Sequence, residues 1–294
     1  MTVRLALASL AVVLAAMAYP WESTMDWWIL GVGAAVVIAV FAWWRGQFVT
    51  DMIGRRLAIW LRNHSKADGH DPNRVTVVLE VDDPADIGVS LPLVAGYVER
   101  FGIRSEKVRV TTHDRDGART TWVSLTLDAR SNLAALQARS ADLPLAETAE
   151  VAGRRLADHL REAALDAVIV DAVTAPLCPN VREKWSGVVD DCGAISAYGI
   201  PVDDRLDERL EEVWSQQQET WTAVEFTGTA GALVMAAVCA FRTPEPVRGV
   251  PLTGLTTRRG LQKPLLAALS PDSVELLGVP REPVPSGLAE LSRT

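Results

Sequence analysis

The chain has 294 residues, 29 Lys+Arg against 37 Asp+Glu and a formal net charge of −8, enough length to close a buried core in one large domain or two modest ones. With 49% hydrophobic and 22% charged residues, it is not an intrinsically disordered chain, and its acidic balance excludes non-specific nucleic-acid binding, which needs basic surface. Cys178, Cys192 and Cys239 show no C-x-x-C spacing, so no disulfide framework is expected, and the thiols are expected reduced.

Apolar sequence is concentrated at the start. Residues 3–19 are apolar except for Arg4, Ser9 and Tyr19, and Trp27 to Trp44 follow without a charge. Seventeen and eighteen residues make helices of about 26 and 27 Å, so two membrane spans in a hairpin over residues 1–46 are predicted. Trp21, Trp27 and Trp28 bracket the connecting loop and Trp43 and Trp44 close the second stretch, positions that suit indole rings at a membrane interface. A cleaved leader is the rival reading of the first stretch, with Arg4 as its basic start and Ala16-Met17-Ala18 as an A-x-A site. Gly31, Ala35 and Ala39 form a small-residue row along which two helices could pack closely.

Arg45, Arg55, Arg56 and Arg62 form a basic collar after the second stretch, while the 20–26 loop has no Lys or Arg. That asymmetry predicts a multi-pass inner-membrane protein with both termini cytoplasmic and the bilayer as one partner. Residues 47–73 read as a basic amphipathic helix and a polar linker. The first 66 residues carry +3 and the remainder −11, the distribution expected of an acidic domain beyond an anionic leaflet.

Residues 74–243 read as a cytoplasmic α+β domain. Val75–Val81 is strand-like and Leu91–Phe101 helical, and Lys107–His113 and Thr120–Asp128 form a hairpin around Asp116-Gly117. Ser131 is placed to cap a helix through Arg139, Glu147–Glu162 is a second helix, and Val168–Val170 a buried strand. This β-α-β-β-α-β order is ferredoxin-like. A loose second round follows, with strand 194–200, helix 204–214 and strands 221–226 and 233–242. Residues 244–294 are a Pro/Gly-rich tail with one short helix at 261–269.

No catalytic, cofactor or metal site emerges. Asp114 and Asp116 form a D-x-D that a metal-dependent transferase could use, yet Asp before Gly also serves a turn. His113 beside Asp114 could be a base but has no partner nucleophile in view, and no phosphate-cradling glycine motif is present.

The stretches MTVRLALASLAVVLAAMAYPW, FAWWRGQF, GYVERFGI, NLAALQARSADLPLAETAEVAGRRLADHLRE, VDDRLDERLEEV and ETWTAVEFTG resemble the EccE component of mycobacterial type VII (ESX) secretion systems, to about residue 270. The similarity is greatest to the member of the iron- and zinc-acquisition system. The resemblance implies a structural subunit of a machine that exports small helical substrate pairs. It also implies the companions EccB, EccC (a membrane ATPase) and EccD (a many-span protein), no enzymatic activity and no cofactor. Two other classes stay open: a membrane-anchored transferase using the D-x-D, and a tethered adaptor unrelated to secretion.

Overall fold

The computed structural model describes residues 9–13, 16–17, 19, 24–41, 43–44, 47–64, 71–85, 87–246 and 249–285. It divides into two units, residues 1–65 and 66–294.

In the first unit residues 9–13 and 16–17 are helical, and α1 spans Thr24–Phe41. The short strands β1 (Trp43–Trp44) and β2 (Gln47–Phe48) pair antiparallel, and α2 follows over Val49–His64. Among the described residues no helix is long and apolar enough to cross a membrane. This overturns the reading of two membrane spans at 3–19 and 27–44, and with it the multi-pass inner-membrane placement with both termini cytoplasmic; residues 3–8, 14–15 and 18 of the first span lie outside the described residues. The uncharged run does not stay one helix: α1 begins early enough to take in Asp26, and Trp43–Trp44 leave it for a strand.

The second unit is built on one 12-stranded sheet, and this corrects the expected α+β arrangement of a ferredoxin-like module with a loose repeat. The strands are β3 (Arg74–Asp82), β4 (Glu99–Arg100), β5 (Ile103–Arg115), β6 (Ala118–Asp128), β7 (Asp166–Val170), β8 (Arg182–Glu183), β9 (Val188–Asp190), β10 (Gly193–Ile200), β11 (Thr220–Thr229), β12 (Ala232–Thr243), β13 (Thr256–Thr257) and β14 (Glu282–Pro283). Their spatial order is β7-β3-β6-β5-β11-β12-β10-β9-β8, with antiparallel neighbours throughout. The physical reason for the difference is the β5–β11 ladder, where Val108 to Asp114 pair with Phe226 to Thr220. It fuses the two rounds of strands into one continuous sheet, a long-range pairing that local periodicity does not encode.

Strand alternation sends successive side chains to opposite faces. On one face Val77, Leu79, Val108, Val110, Val123, Leu125, Val224, Phe226 and Met235 are buried in a single core. Two helices cover that face: α5 (Leu145–Glu162), through Ala149, Leu156 and Leu160, and α6 (Leu206–Trp214), through Leu206, Leu210 and Val213. Gly153 permits the close approach of α5, since a Cβ there would lie 2.6 Å from Val77 Cγ1. The opposite face buries Trp122, Trp221, Ala223 and Val238 against Leu265, Leu266 and Leu269 from α7 (Gln262–Ala268) and the turn after it.

Local expectations are also adjusted. The predicted 91–101 helix is the short α3 (Leu91–Ala95), capped by Ser90 and continued by a 3-10 turn at Gly96–Val98, before β4. Asn132, not Ser131, stands at the cap of α4 (Leu133–Gln137), and its side chain bonds the Arg104 backbone instead.

Candidate functional site

Beside α6 the same face of the sheet is left partly open. The gap is a cleft of ≈ 970 Å³, the upper end of the size range of small-ligand sites. Its floor is a row of three threonines across adjacent strands, Thr121 on β6, Thr112 on β5 and Thr222 on β11. Val110 and Val224 continue the floor, and Leu210, Glu211 and Trp214 of α6 form one wall. The 82–91 loop and the β5–β6 turn close the other sides.

The cleft is acidic. Asp82, Asp83, Asp114, Asp116, Asp207 and Glu211 line it against Arg115 and Arg119. Arg119 Nε donates to Asp114 Oδ1 at 2.5 Å, and its guanidinium lies 4.8 Å over the Trp214 ring, where ion pairing and cation–π attraction act together. Asp83 accepts the Ile87 and Gly88 N–H groups and so shapes its loop. Burial, then the charges of Glu211 and Glu208, push the Asp207 carboxyl above the usual range. Asp116 sits at φ 52° in the turn and pairs with Arg115 at 3.4 Å. Each D-x-D carboxylate therefore already faces an arginine.

The other sequence candidates are scattered. His113 lies on the opposite face, stacked 4.0 Å from Trp221 with Nε2 3.1 Å from Glu219 Oε1. That contact, with the Trp221 N–H, holds the Glu219 carboxyl below its ordinary range despite burial. In the first unit Trp27, Trp28, Gly31 and Ala35 are exposed on α1, while Ala39 lies further along the same helix. Trp43 and Trp44 are the residues of β1. Arg55, Arg56 and Arg62 lie on α2, half-buried, exposed and half-buried respectively. Trp21 and Arg45 lie outside the described residues.

The cysteine expectation is corrected: Cys178 and Cys192 form a disulfide, and Cys239 is free and buried. The β8–β9 hairpin folds the chain back so that residues 14 apart meet with Cα atoms 6.0 Å apart, a proximity that spacing does not reveal. Asp190 sits beneath the bridge. Its carboxylate accepts the Cys178 and Cys192 N–H groups and pairs with Arg242 at 2.7 Å. These three side chains lie close enough for a metal triad, but bridged sulfurs are not thiolate ligands. Asp190 is moreover engaged on both oxygens by donors, so the set does not fit a cation.

Residues 116–200, from the β5–β6 turn to the end of β10, match the family model described as "Putative type VII ESX secretion system translocon, EccE". The chain is 50% identical over 289 residues to the ESX-3 secretion system protein EccE3 of Mycolicibacterium smegmatis, covering 97% of this chain and 93% of that one. It is 43% identical over 285 residues to the protein of the same name in Mycobacterium tuberculosis, covering 93% and 86% of the two chains. Similarity of that depth along nearly the whole length places the chain by descent: it belongs to the EccE family of type VII ESX secretion-system components.

Proposed function

We propose that the chain is a structural, non-catalytic subunit of an ESX-3-type secretion complex, serving export linked to iron and zinc acquisition. Its contacts in the complex are with subunits of the EccB, EccC and EccD types. The observation that carries this reading is the 50% identity over 97% of the chain to a protein named for that system. The cleft is consistent with it, because three of its carboxylates are engaged within the chain: Asp83 with a loop, Asp114 and Asp116 with arginines. A metal-dependent transferase would need those last two free for a cation–diphosphate complex.

Gentle extraction of the tagged full chain from a mycobacterial host, with identification of what co-purifies, tests the assignment. Recovery of the EccC-type ATPase and the EccD-type subunit is expected. A complex that assembles and secretes fully without the chain would overturn it. Asp116→Asn should leave secretion unchanged; its collapse with the complex intact would favour a catalytic D-x-D.

A further inference from the structure

Building on the reading of the chain as an assembling subunit, we propose that the cleft between α6, the loop after β3 and the β5–β6 turn seats a lysine- or arginine-bearing segment of a partner subunit. The floor carries polar oxygens that are unpartnered among the described residues. Thr112 and Thr222, 8% and 2% exposed, oppose one another on β5 and β11, and neither Oγ1 has a hydrogen-bond partner among the described residues. Asp114 spends Oδ1 on Arg119, and its Oδ2 is likewise unpartnered among them. Polar atoms left this way carry an uncompensated desolvation cost, so a ligand that donates to them gains more than it would on open surface.

The rim selects the sign of the ligand. Asp82, Asp207 and Glu211 line the cleft, and none is in an ion pair among the described residues, whereas Arg115 and Arg119 both are. Burial and the neighbouring carboxylates act against the charge on Asp207, and an incoming cation relieves that repulsion. Lys and Arg are donors only, on apolar stems. Val110, Val224 and Leu210 line the same cleft as the threonines and Asp114, so apolar surface for the stems lies beside the polar oxygens. A volume of ≈ 970 Å³ holds several side chains, which argues for a peptide segment over a single amine.

The test uses the purified full chain and a fluorescein-labelled peptide of alternating lysine and valine, with a glutamate–valine peptide as control. Support is binding of the lysine peptide that weakens about tenfold in Asp207→Lys/Glu211→Lys and roughly threefold in the near-isosteric Thr222→Val. Glu147→Lys/Glu150→Lys makes the same charge change on the exposed side of α5 and should leave binding intact. Equal weakening by the two double variants would reveal diffuse attraction to an acidic surface and overturn the proposal. Displacement by equimolar spermidine would assign the cleft to a small polyamine, and either no binding or binding of the glutamate peptide would also overturn it. Co-purification of the wild-type chain separates this from the parent reading. A complex that forms although the chain binds no lysine peptide defeats the cleft assignment alone, and a chain that binds the peptide but never joins the complex defeats the assembly reading.

Discussion

Arg109 and Glu225 stand opposite each other on β5 and β11, both side chains completely buried, with Nη2 2.6 Å from Oε2. The pair sits under the C-terminal segment. Arg109 also donates to the Ala268, Ser270 and Glu275 carbonyls, while Glu225 accepts the Leu277 N–H and a guanidinium hydrogen of Arg281. One ion pair therefore joins the central ladder of the sheet to the segment after α7.

Removing one member leaves the other charged and buried, so Glu225→Leu should lower stability by about 3–5 kcal/mol. The double variant Arg109→Met/Glu225→Leu should lose clearly less than the sum of the two single losses. Urea unfolding of the four proteins checks this. Additive losses would mean that each side chain acts through its backbone partners and not through the pair.

What the sequence disclosed was local. The strand expected over 75–81 is found at 74–82, the hairpin around Asp116-Gly117 is present, and the helix expected over 147–162 runs from Leu145 to Glu162. Alternation and helical periodicity are short-range signals, and these segments obey them. The continuous sheet was not legible, because the β5–β11 register joins residues more than a hundred positions apart. The cleft was legible only in part. Asp114 and Asp116 drew notice as a motif, but Thr112 and Thr222 look like ordinary strand residues until β5 and β11 are laid side by side. Arg109 and Glu225 gave no signal beyond charges within apolar strands, and that was the available clue, since a charge inside a buried strand requires a partner.

The Cys178–Cys192 bridge closes a short loop, with a sequence separation of 14. The chain-entropy account assigns about 3 kcal/mol to a loop of that size. Dithiothreitol, or Cys178→Ser/Cys192→Ser, should reduce stability by about 2–3 kcal/mol without unfolding the sheet, because Asp190 still binds both backbone N–H groups and Arg242. Thiol titration gives a second reading. Cys239 is fully buried, and burial pushes its thiol far above the ordinary range. The native chain should therefore show no reactive thiol and the reduced native chain two, those of Cys178 and Cys192. Reactive thiols before reduction would contradict the bridge.

Lys107 is fully buried on the same face as Arg109, its Nζ donating to the Ser273 and Glu275 carbonyls at 2.5 Å. Burial first, then the Arg109 charge, lower its pKa to about 6, against the opposing pull of Glu225, Glu106 and Glu275. The folded-state value thus lies below the unfolded one of 10.5. Between these values the unfolded chain binds more protons, so this group makes stability rise with pH across the window. Lys107→Met should flatten the rise, whatever its net effect at neutrality, where two carbonyls lose a donor. Urea midpoints of both proteins from neutral pH to about 9 measure the slopes. Parallel slopes would show that Lys107 stays protonated in the fold.

The last expectation concerns how closely α5 lies on the sheet. At Gly153 a Cβ would fall 2.6 Å from Val77 Cγ1, and 3.6 Å from Ile169 Cδ1. Alanine in a helix interior is ordinarily favoured over glycine by about 1 kcal/mol. Here the added methyl meets a β-branched side chain with few alternative rotamers, itself buried in the strand beneath. Overpacking of this kind costs about 1–3 kcal/mol, so Gly153→Ala should be net destabilising, with a lower thermal midpoint. Val77→Ala removes the obstructing methyl groups but opens space in the core, so alone it should also destabilise. In the double variant the new methyl occupies part of that space and the helix propensity gain is realised, so Gly153→Ala should be neutral or stabilising in the Val77→Ala background. The sign change between backgrounds is the decisive readout. If Gly153→Ala costs the same with and without Val77, the close approach of helix and strand at this point does not limit the packing.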